Sequence, residues 1–564
     1  MKRESKRRFW FVVSLICLLG FMKSIDAKMA NNADNGEKQI FSEESGFYQE
    51  NIQVVLKIPE MSKLFYTLDG AVPSEKAILY QDPIELMVPK DGIQAYVIRV
   101  VGYNEAGEPS RCYAHTYFLG EKVSERFSTR VCAITSDPVN LYDDDRGILV
   151  GGRMKKEYLE ANPEVPEEAA PANYYFRGRE SEREAYVEIF SQEGEVLLSQ
   201  PAGIRVHGGV SRSLEQKSLR LIARKEYGGE SFNIQIFKEN EQAIYKKFVL
   251  RNSGNDNCNA FMRNECALRL FEEAGFPDTT EFSPMAVFIN GEYYGFEWLT
   301  ELYDDCYFHE NYGTTEHQGS YQVLEVDDGP LEAENPEDLS EVQAVSDWNG
   351  IYTLCTTKDL TDDDAFQEFA EKVDVENFLL YHFMEIYLAN PDWPFNNNKV
   401  YRWYPNGNAY GEESTDGKWR FLAYDFDEGL AKTNSSAAFD PSLSKALGLK
   451  DSGHWKRYCP MLAAVLKRED MKNRFIEIAE EQMEGALSPE NFCKVIDEIS
   501  AMRREEVLAY QQSLAQKEGL SEEQQTELQE EYKEHLREEE KIIKNFAKER
   551  PSYMKEELKI LENF

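Results

Sequence analysis

The stretch Asn390-Pro391-Asp392-Trp393-Pro394-Phe395-Asn396-Asn397-Asn398-Lys399 joins a predicted helix to a predicted strand. Before it, Val375 to Ala389 carries apolar residues at helical spacing; after it, Val400-Tyr401-Arg402-Trp403 has strand character. Asp392 and Asn397 therefore stand five apart on one polar loop. Downstream, Lys418-Trp419-Arg420-Phe421-Leu422-Ala423-Tyr424 predicts a further strand that runs into Asp425-Phe426-Asp427. Upstream, Gly203-Ile204-Arg205-Val206-His207-Gly208-Gly209 passes through Val210-Ser211-Arg212-Ser213 to Lys217-Ser218-Leu219-Arg220-Leu221, a pattern of strand, glycine-bearing loop and strand.

The chemistry of these residue types points to anion and metal handling. An Asp at position 392 accepts the proton of an attacking hydroxyl, and an Asn carbonyl five residues on reaches a Mg²⁺ held on phosphates. A carboxylate at a strand end, as at Asp425, suits the same ion. Gly208 and Gly209 let backbone approach an anion closely, Ser211 and Arg212 donate to it, and Lys217 offers a point charge. The loop is neither a Walker A sequence nor a G-x-G-x-x-G. Other catalytic patterns are missing: there is no H-E-x-x-H and no G-x-S-x-G, and His382 with Glu385 reads as ordinary helix decoration.

Composition bounds the partners. With 63 Lys plus Arg against 102 Asp plus Glu, the 564-residue chain has a formal charge of −39. That field repels nucleic-acid phosphates and anionic headgroups, so nucleic acid and membrane are excluded as default partners. Its length exceeds one ordinary core and predicts two or three folded units. Lys2, Arg3, Lys6, Arg7 and Arg8 precede an apolar run from Phe9 to Met22, so residues 1–28 read as a secretory signal or, failing cleavage, an anchor. An exported protein, extracellular or on the cell surface, is expected. The eight cysteines beyond Cys17 lack any C-x-x-C and are expected to be mostly unpaired and buried.

From Phe41 to Gly120 short strands recur about every ten residues, which predicts a β-sandwich over 40–120. After an exposed loop over Glu160 to Asn173, strands dominate from Tyr186 to Leu250, followed by one helix over Asn259 to Ala274 and a hairpin at Asn290-Gly291. Beyond Ser442 helical periods take over, with helix starts at Ser488-Pro489-Glu490 and Ser521-Glu522-Glu523-Gln524. The fold class is α+β: a catalytic unit over 130–564, strand-rich first and helix-rich last.

In order along the chain, G-G-x-S-R…K-S-L-R-L, the hairpin running to Thr300-Glu301, D-W-P-x-N-N and W-R-F…D-F-D resemble the spore coat protein H (CotH) kinase family, roughly from Ala185 to the C-terminus and including Arg550-Pro551. The segment with Tyr66-Thr67-Leu68-Asp69-Gly70 resembles the chitobiase C-terminal-type, fibronectin-like module, which implies a spacer or accessory role. The first resemblance implies a two-lobed, atypical protein-kinase-like fold that transfers phosphate from ATP to Ser or Thr of a protein substrate with Mg²⁺ or Mn²⁺. By position, Asp392 would be the catalytic Asp, Asn397 and Asp425 would hold metal, and Lys217 would bind the nucleotide phosphates with Ser211, Arg212 and Glu301 nearby. The glutamate that pairs with the nucleotide lysine would be Glu265 or Glu272. Pro391 and Asp427 depart from H-R-D and D-F-G, and no A-P-E follows, so no phosphorylation-switched activation loop is expected. Transfer of AMP, and a non-catalytic surface or adhesion role on the same scaffold, are the alternatives.

Overall fold

The computed structural model describes residues 40–237, 244–327, 329–407, 410–432, 436–451 and 457–564; the segment read as signal or anchor lies outside them. Strands Gly46–Tyr48, Tyr113–Leu119, Gln94–Tyr103, Lys63–Thr67 and Ile78–Leu79 lie side by side in that order, and a second pair, Ile52–Val54 with Ile84–Leu86, packs across them. Alternation turns Ile98, Val100, Tyr117 and Leu119 inward against Val54 and Leu86, which gives the β-sandwich its own core. Its other face is not free. Phe47, Ala95 and Phe118 pack with Phe127, Phe190 and Phe288 of the next unit, and the Phe118 ring stands edge-on to Phe288 at 4.9 Å and to Phe190 at 5.6 Å.

The next unit is a closed barrel of seven strands, in the order Val196–Val206, Leu219–Ile222, Lys247–Arg251, Glu292–Thr300, Phe282–Ile289, Arg130–Thr135 and Arg183–Phe190. Arg130–Thr135 pairs in parallel with Phe282–Ile289, and both are buried along nearly their whole length, as strands covered on two faces must be. Asn290 and Gly291 take φ of 50° and 82°, the left-handed pair that a two-residue hairpin demands, and they join Phe282–Ile289 to Glu292–Thr300. Ile134, Val187, Ile204, Leu221, Leu250 and Met285 fill the interior.

One interior group does not fit an apolar barrel. Glu297 is paired in register with Met285 and is fully buried, and neither of its carboxylate oxygens has a hydrogen-bond partner. Burial holds its pKa well above the ordinary value of 4.5, so the folded chain keeps it protonated while the unfolded chain ionises it. Stability is therefore lost as pH rises above the unfolded value. Glu297→Met, similar in length and apolar, is expected to melt several degrees higher at neutral pH, with the gap closing towards pH 4; this follows from a cost of about 1–3 kcal/mol for an unsatisfied buried polar group. Melting curves across that pH range would refute it if the variant were the less stable protein at pH 7.

Beyond the barrel, strands Gly319–Val326, Asn398–Pro405 and Arg420–Leu422 form a small antiparallel sheet. Helices Leu339–Thr357, Val375–Tyr387, Glu469–Glu484, Pro489–Lys517 and Glu522–Leu558 surround it. Trp348, Tyr381, Phe383, Phe421, Phe426, Phe492 and Ile543 belong to the core they share. Pro489 opens its helix at the first helical position, and Ser521 with Gln524 forms a reciprocal capping box. The acidic last helix is solvated at its start and packs inward from Leu536 onward. None of the eight described cysteines forms a disulfide, and five are buried. Among the described residues no helix is long and apolar enough to cross a membrane.

Candidate functional site

The loop that opened the sequence reading is built from its own polar side chains. Helix Val375–Tyr387 ends, Ala389 reverses the chain at φ 53°, and Asn390 follows, fully buried. The Asn390 amide donates to Glu385 Oε2 at 3.1 Å and its oxygen accepts from the backbone N–H of Asp392 at 3.2 Å. Asn398 accepts from Tyr381 Oη at 2.8 Å and donates to the Pro394 carbonyl at 2.7 Å, while Trp393 is buried beneath. The result presents Asp392 and Asn397 together, with Asn397 Nδ2 donating to Asp392 Oδ2 at 3.4 Å. Asn397 has φ 62°, a conformation that Asn tolerates better than most residues.

Asp425 arrives from the other side. It follows strand Arg420–Leu422 at φ 60°, and the next residue, Phe426, inserts against Phe271 at 5.0 Å while its N–H donates to Asn264 Oδ1. That anchor turns Asp425 and Asp427 to the same cation. Arg251, the last residue of strand Lys247–Arg251, donates Nη1 to Asp427 Oδ1 at 2.8 Å, and Nη2 to Asp427 Oδ2 at 2.7 Å and to Asp425 Oδ1 at 2.5 Å. Gly254 makes room for this contact, since a Cβ there would collide with Asp427 Oδ2. Glu265, from the first turn of helix Arg263–Glu273, is buried near Arg251, and burial pushes its carboxyl up to about 7. Glu272 instead pairs with Arg269 at the surface.

Asp392, Asn397, Arg251, Asp425 and Asp427 line one cleft of about 590 Å³. Its wall towards the barrel is basic, with Arg177, Arg205, Arg212 and Arg220; its opposite wall holds Asp392, Asn397, Asp425 and Glu428. Gly208, at φ 105°, and Gly209 bring the loop backbone to the cleft, and Ser211 lines it beside them. Arg212 lines it too, but its guanidinium is spent on the Gly208, Tyr174 and Phe176 carbonyls. Arg220 Nη2 donates to His207 Nδ1 at 2.9 Å, which fixes the proton of a neutral His207 on Nε2.

Lys217 is the correction. It does not line the cleft: its ammonium donates to the Leu214 carbonyl at 2.6 Å and lies 4.6 Å from the Tyr174 ring centre. The strand begins only at Leu219 and pairs Arg220 with Arg205, so those arginines face the cleft at that level. Glu301 lies in a smaller adjoining cavity, where its carboxylate accepts from the Glu281 N–H at 2.8 Å. That cavity shares His207, Arg251, Lys399, Tyr424 and Asp425 with the main cleft. Sequence reasoning missed Arg251 and Lys399. Lys399, two residues beyond Asn397, sits 3.6 Å from the centre of the Tyr424 ring between the two cavities. The only signal for either was a cation at a strand end.

Burial, with the negative charges of Glu428 and Asp425, pushes the Asp392 carboxyl up to about 6. A carboxylate so placed takes up a proton readily yet is ionised at neutral pH. A divalent cation fits the donor set in part. Asp425 and the Asn397 carbonyl are hard oxygen donors of the kind Mg²⁺ and Mn²⁺ take, but the described residues contain no group of three or more His, Cys, Asp or Glu arranged to hold an ion. Phosphate oxygens and water would have to complete the shell, as Mg²⁺ prefers.

A family model described as CotH kinase protein matches residues 204–554, and one described as Fn3 associated matches residues 54–117. None of the curated proteins matches the chain.

Proposed function

Because the chain belongs to the CotH kinase protein family across residues 204–554, we propose that it is a phosphotransferase moving the γ-phosphate of ATP to a Ser or Thr hydroxyl of a protein. The observation that carries this reading is that Arg251, the loop bearing Asp392 and Asn397, and Asp425, from three separate stretches of the chain, line one cleft with a cationic wall on its barrel side. The barrel and the helical unit then act as two lobes with the phosphates between them.

In this reading the basic wall and the Gly208-Gly209 backbone orient the triphosphate, and Arg251 takes the part first given to Lys217. It stands at the end of a strand, with Glu265 on the helix that follows and Asp425 against its guanidinium, an arrangement like the lysine, helix glutamate and metal-binding Asp of protein kinases. Asp392 accepts the proton of the acceptor hydroxyl as that oxygen bonds to the γ-phosphorus; the bond to the β,γ-bridging oxygen breaks and ADP leaves. Asn397 and Asp425 would hold Mg²⁺ or Mn²⁺, which when bound neutralises phosphate charge. The smaller cavity, walled by Val249, Leu268 and Ala423 beside Glu301, suits the nucleobase. The basic and apolar N-terminus supports export, so the acceptor would be an extracellular or surface protein.

Incubation of the full chain with γ-labelled ATP and Mn²⁺ or Mg²⁺ tests the proposal, using a basic acceptor protein and the chain itself as targets. Metal-dependent label on Ser or Thr is expected, together with a rise in melting temperature when nucleotide and metal are both present. Adducts that carry AMP by mass would replace this reading with nucleotidyl transfer. Neither label nor a shift in melting would end it in favour of a non-catalytic role.

A further inference from the structure

We propose that Arg550, on the last long helix, is a positioning residue for the loop that carries Asp392; this rests on Asp392 being the base. Arg550 is fully buried, and among the described residues it has no carboxylate within ion-pair distance. All its hydrogen bonds go to neutral oxygens. Nε donates to the Tyr387 carbonyl at 2.9 Å and Nη2 to the Ile386 carbonyl at 2.6 Å, while Nη1 donates to the carbonyls of Ala438 and Asp440 at 3.1 and 2.7 Å. Nη2 also reaches Ser442 Oγ at 3.2 Å.

The first two acceptors are the last two carbonyls of helix Val375–Tyr387, where the intrahelical ladder ends, and the Ile386 carbonyl also accepts from the Ala389 N–H at 3.2 Å. Three residues later comes Asn390, whose side chain holds the Asp392 N–H. A second path closes on the same point. The Asp440 carboxylate pairs with Arg457 at 2.8 Å, and Arg457 Nη2 donates to the Asn390 carbonyl at 3.3 Å. Arg550 thus ties the end of the helix before the loop to the segment that braces the loop from the far side. Taking an unpaired guanidinium out of water is costly, and an apolar residue would fill the same space more cheaply. What an apolar residue cannot do is donate to four carbonyls at once. Nor can Lys, with three donors on a single atom.

The test compares Arg550→Lys and Arg550→Ala in the full chain with Arg537→Ala, a control on the exposed face of the same helix. A shift of the loop by about 1 Å is enough to cost on the order of 10²-fold in turnover. Arg550→Ala is expected to lose about that factor in kcat with KM for ATP little changed, Arg550→Lys to lose less, and added guanidinium to restore part of the Ala variant's rate. Hydrogen exchange should quicken at residues 386–398 in both variants at temperatures well below their melting points. Unchanged kcat in a folded Arg550 variant, or a loss lying wholly in KM, would overturn the inference, as would unchanged exchange at 386–398. If the unaltered chain transfers no phosphate, the proposed function fails on its own account. The exchange comparison then still decides whether Arg550 holds the loop.

Discussion

Asp392→Asn is expected to lower turnover by at least about 10²-fold while leaving the affinity for ATP and metal close to that of the unaltered chain. The substitution keeps the size of the side chain and an oxygen to accept the Asn397 bond, and it removes only the ability to take a proton. Asp425→Ala should fail differently. It removes the proposed metal ligand and one of the two carboxylates on Arg251, so metal-dependent nucleotide binding should be lost first. The pH profile separates base from bystander. With its carboxyl pushed up to about 6, Asp392 is protonated and idle in acid, and kcat should rise with pH through that region before levelling. Bound metal would move the midpoint lower by offsetting the charge of Asp425 and Glu428. The residual activity of Asp392→Asn should be flat across the same range. Steady-state kinetics from pH 5 to 8 on both proteins would refute the role if the variant retained a similar rate or the same rising limb.

The parts of this site that were legible in the sequence are those held by local chemistry. Asp392 and Asn397 sit on a loop whose own side chains fold it, and Asp425 follows a strand whose apolar run is plain. The hairpin at Asn290-Gly291 and the capping box at Ser521 are likewise local, and both formed as expected. What could not be read was set by distance. Lys217 and Arg220 are equally basic in sequence, and which one faces the cleft depends on where the strand starts and on its pairing with Arg205 across the barrel. Arg251 gains its place only because Asp425 and Asp427 arrive from more than a hundred residues away. Barrel closure is of the same kind, since Arg130–Thr135 lies parallel to a strand that comes after the whole glycine-bearing region. A period-two pattern tells which face of a strand is apolar; it does not tell which strand lies next to it.

Removing residues 40–120 should abolish stable folding of the remainder, although a spacer is what the resemblance of that module implies. Phe118 and Phe47 cover Phe127, Phe190 and Phe288, and Ala95 and Phe118 are both buried with the barrel residues they touch. Polar fit accompanies the apolar contact: Val72 N–H donates to Asp137 Oδ2 at 3.1 Å, while among the described residues Glu188 of the barrel, fully buried, accepts only from Ser199 Oγ at 3.4 Å. Burying one Phe is worth about 1.5–3 kcal/mol. Uncovering three of them removes a large part of the roughly 5–15 kcal/mol by which a folded unit is stable. The truncated chain is therefore expected to be insoluble or to bind a hydrophobic dye without a cooperative melt. Phe118→Ala in the intact chain should reproduce part of the loss, on the scale of about 3–5 kcal/mol for a core Phe. A truncated protein that melted cooperatively at the temperature of the full chain would restore the spacer reading. An intact interface instead makes the module a wall of the barrel, so that damage to the sandwich reaches the cleft through Phe190 and Phe288 rather than through a tether.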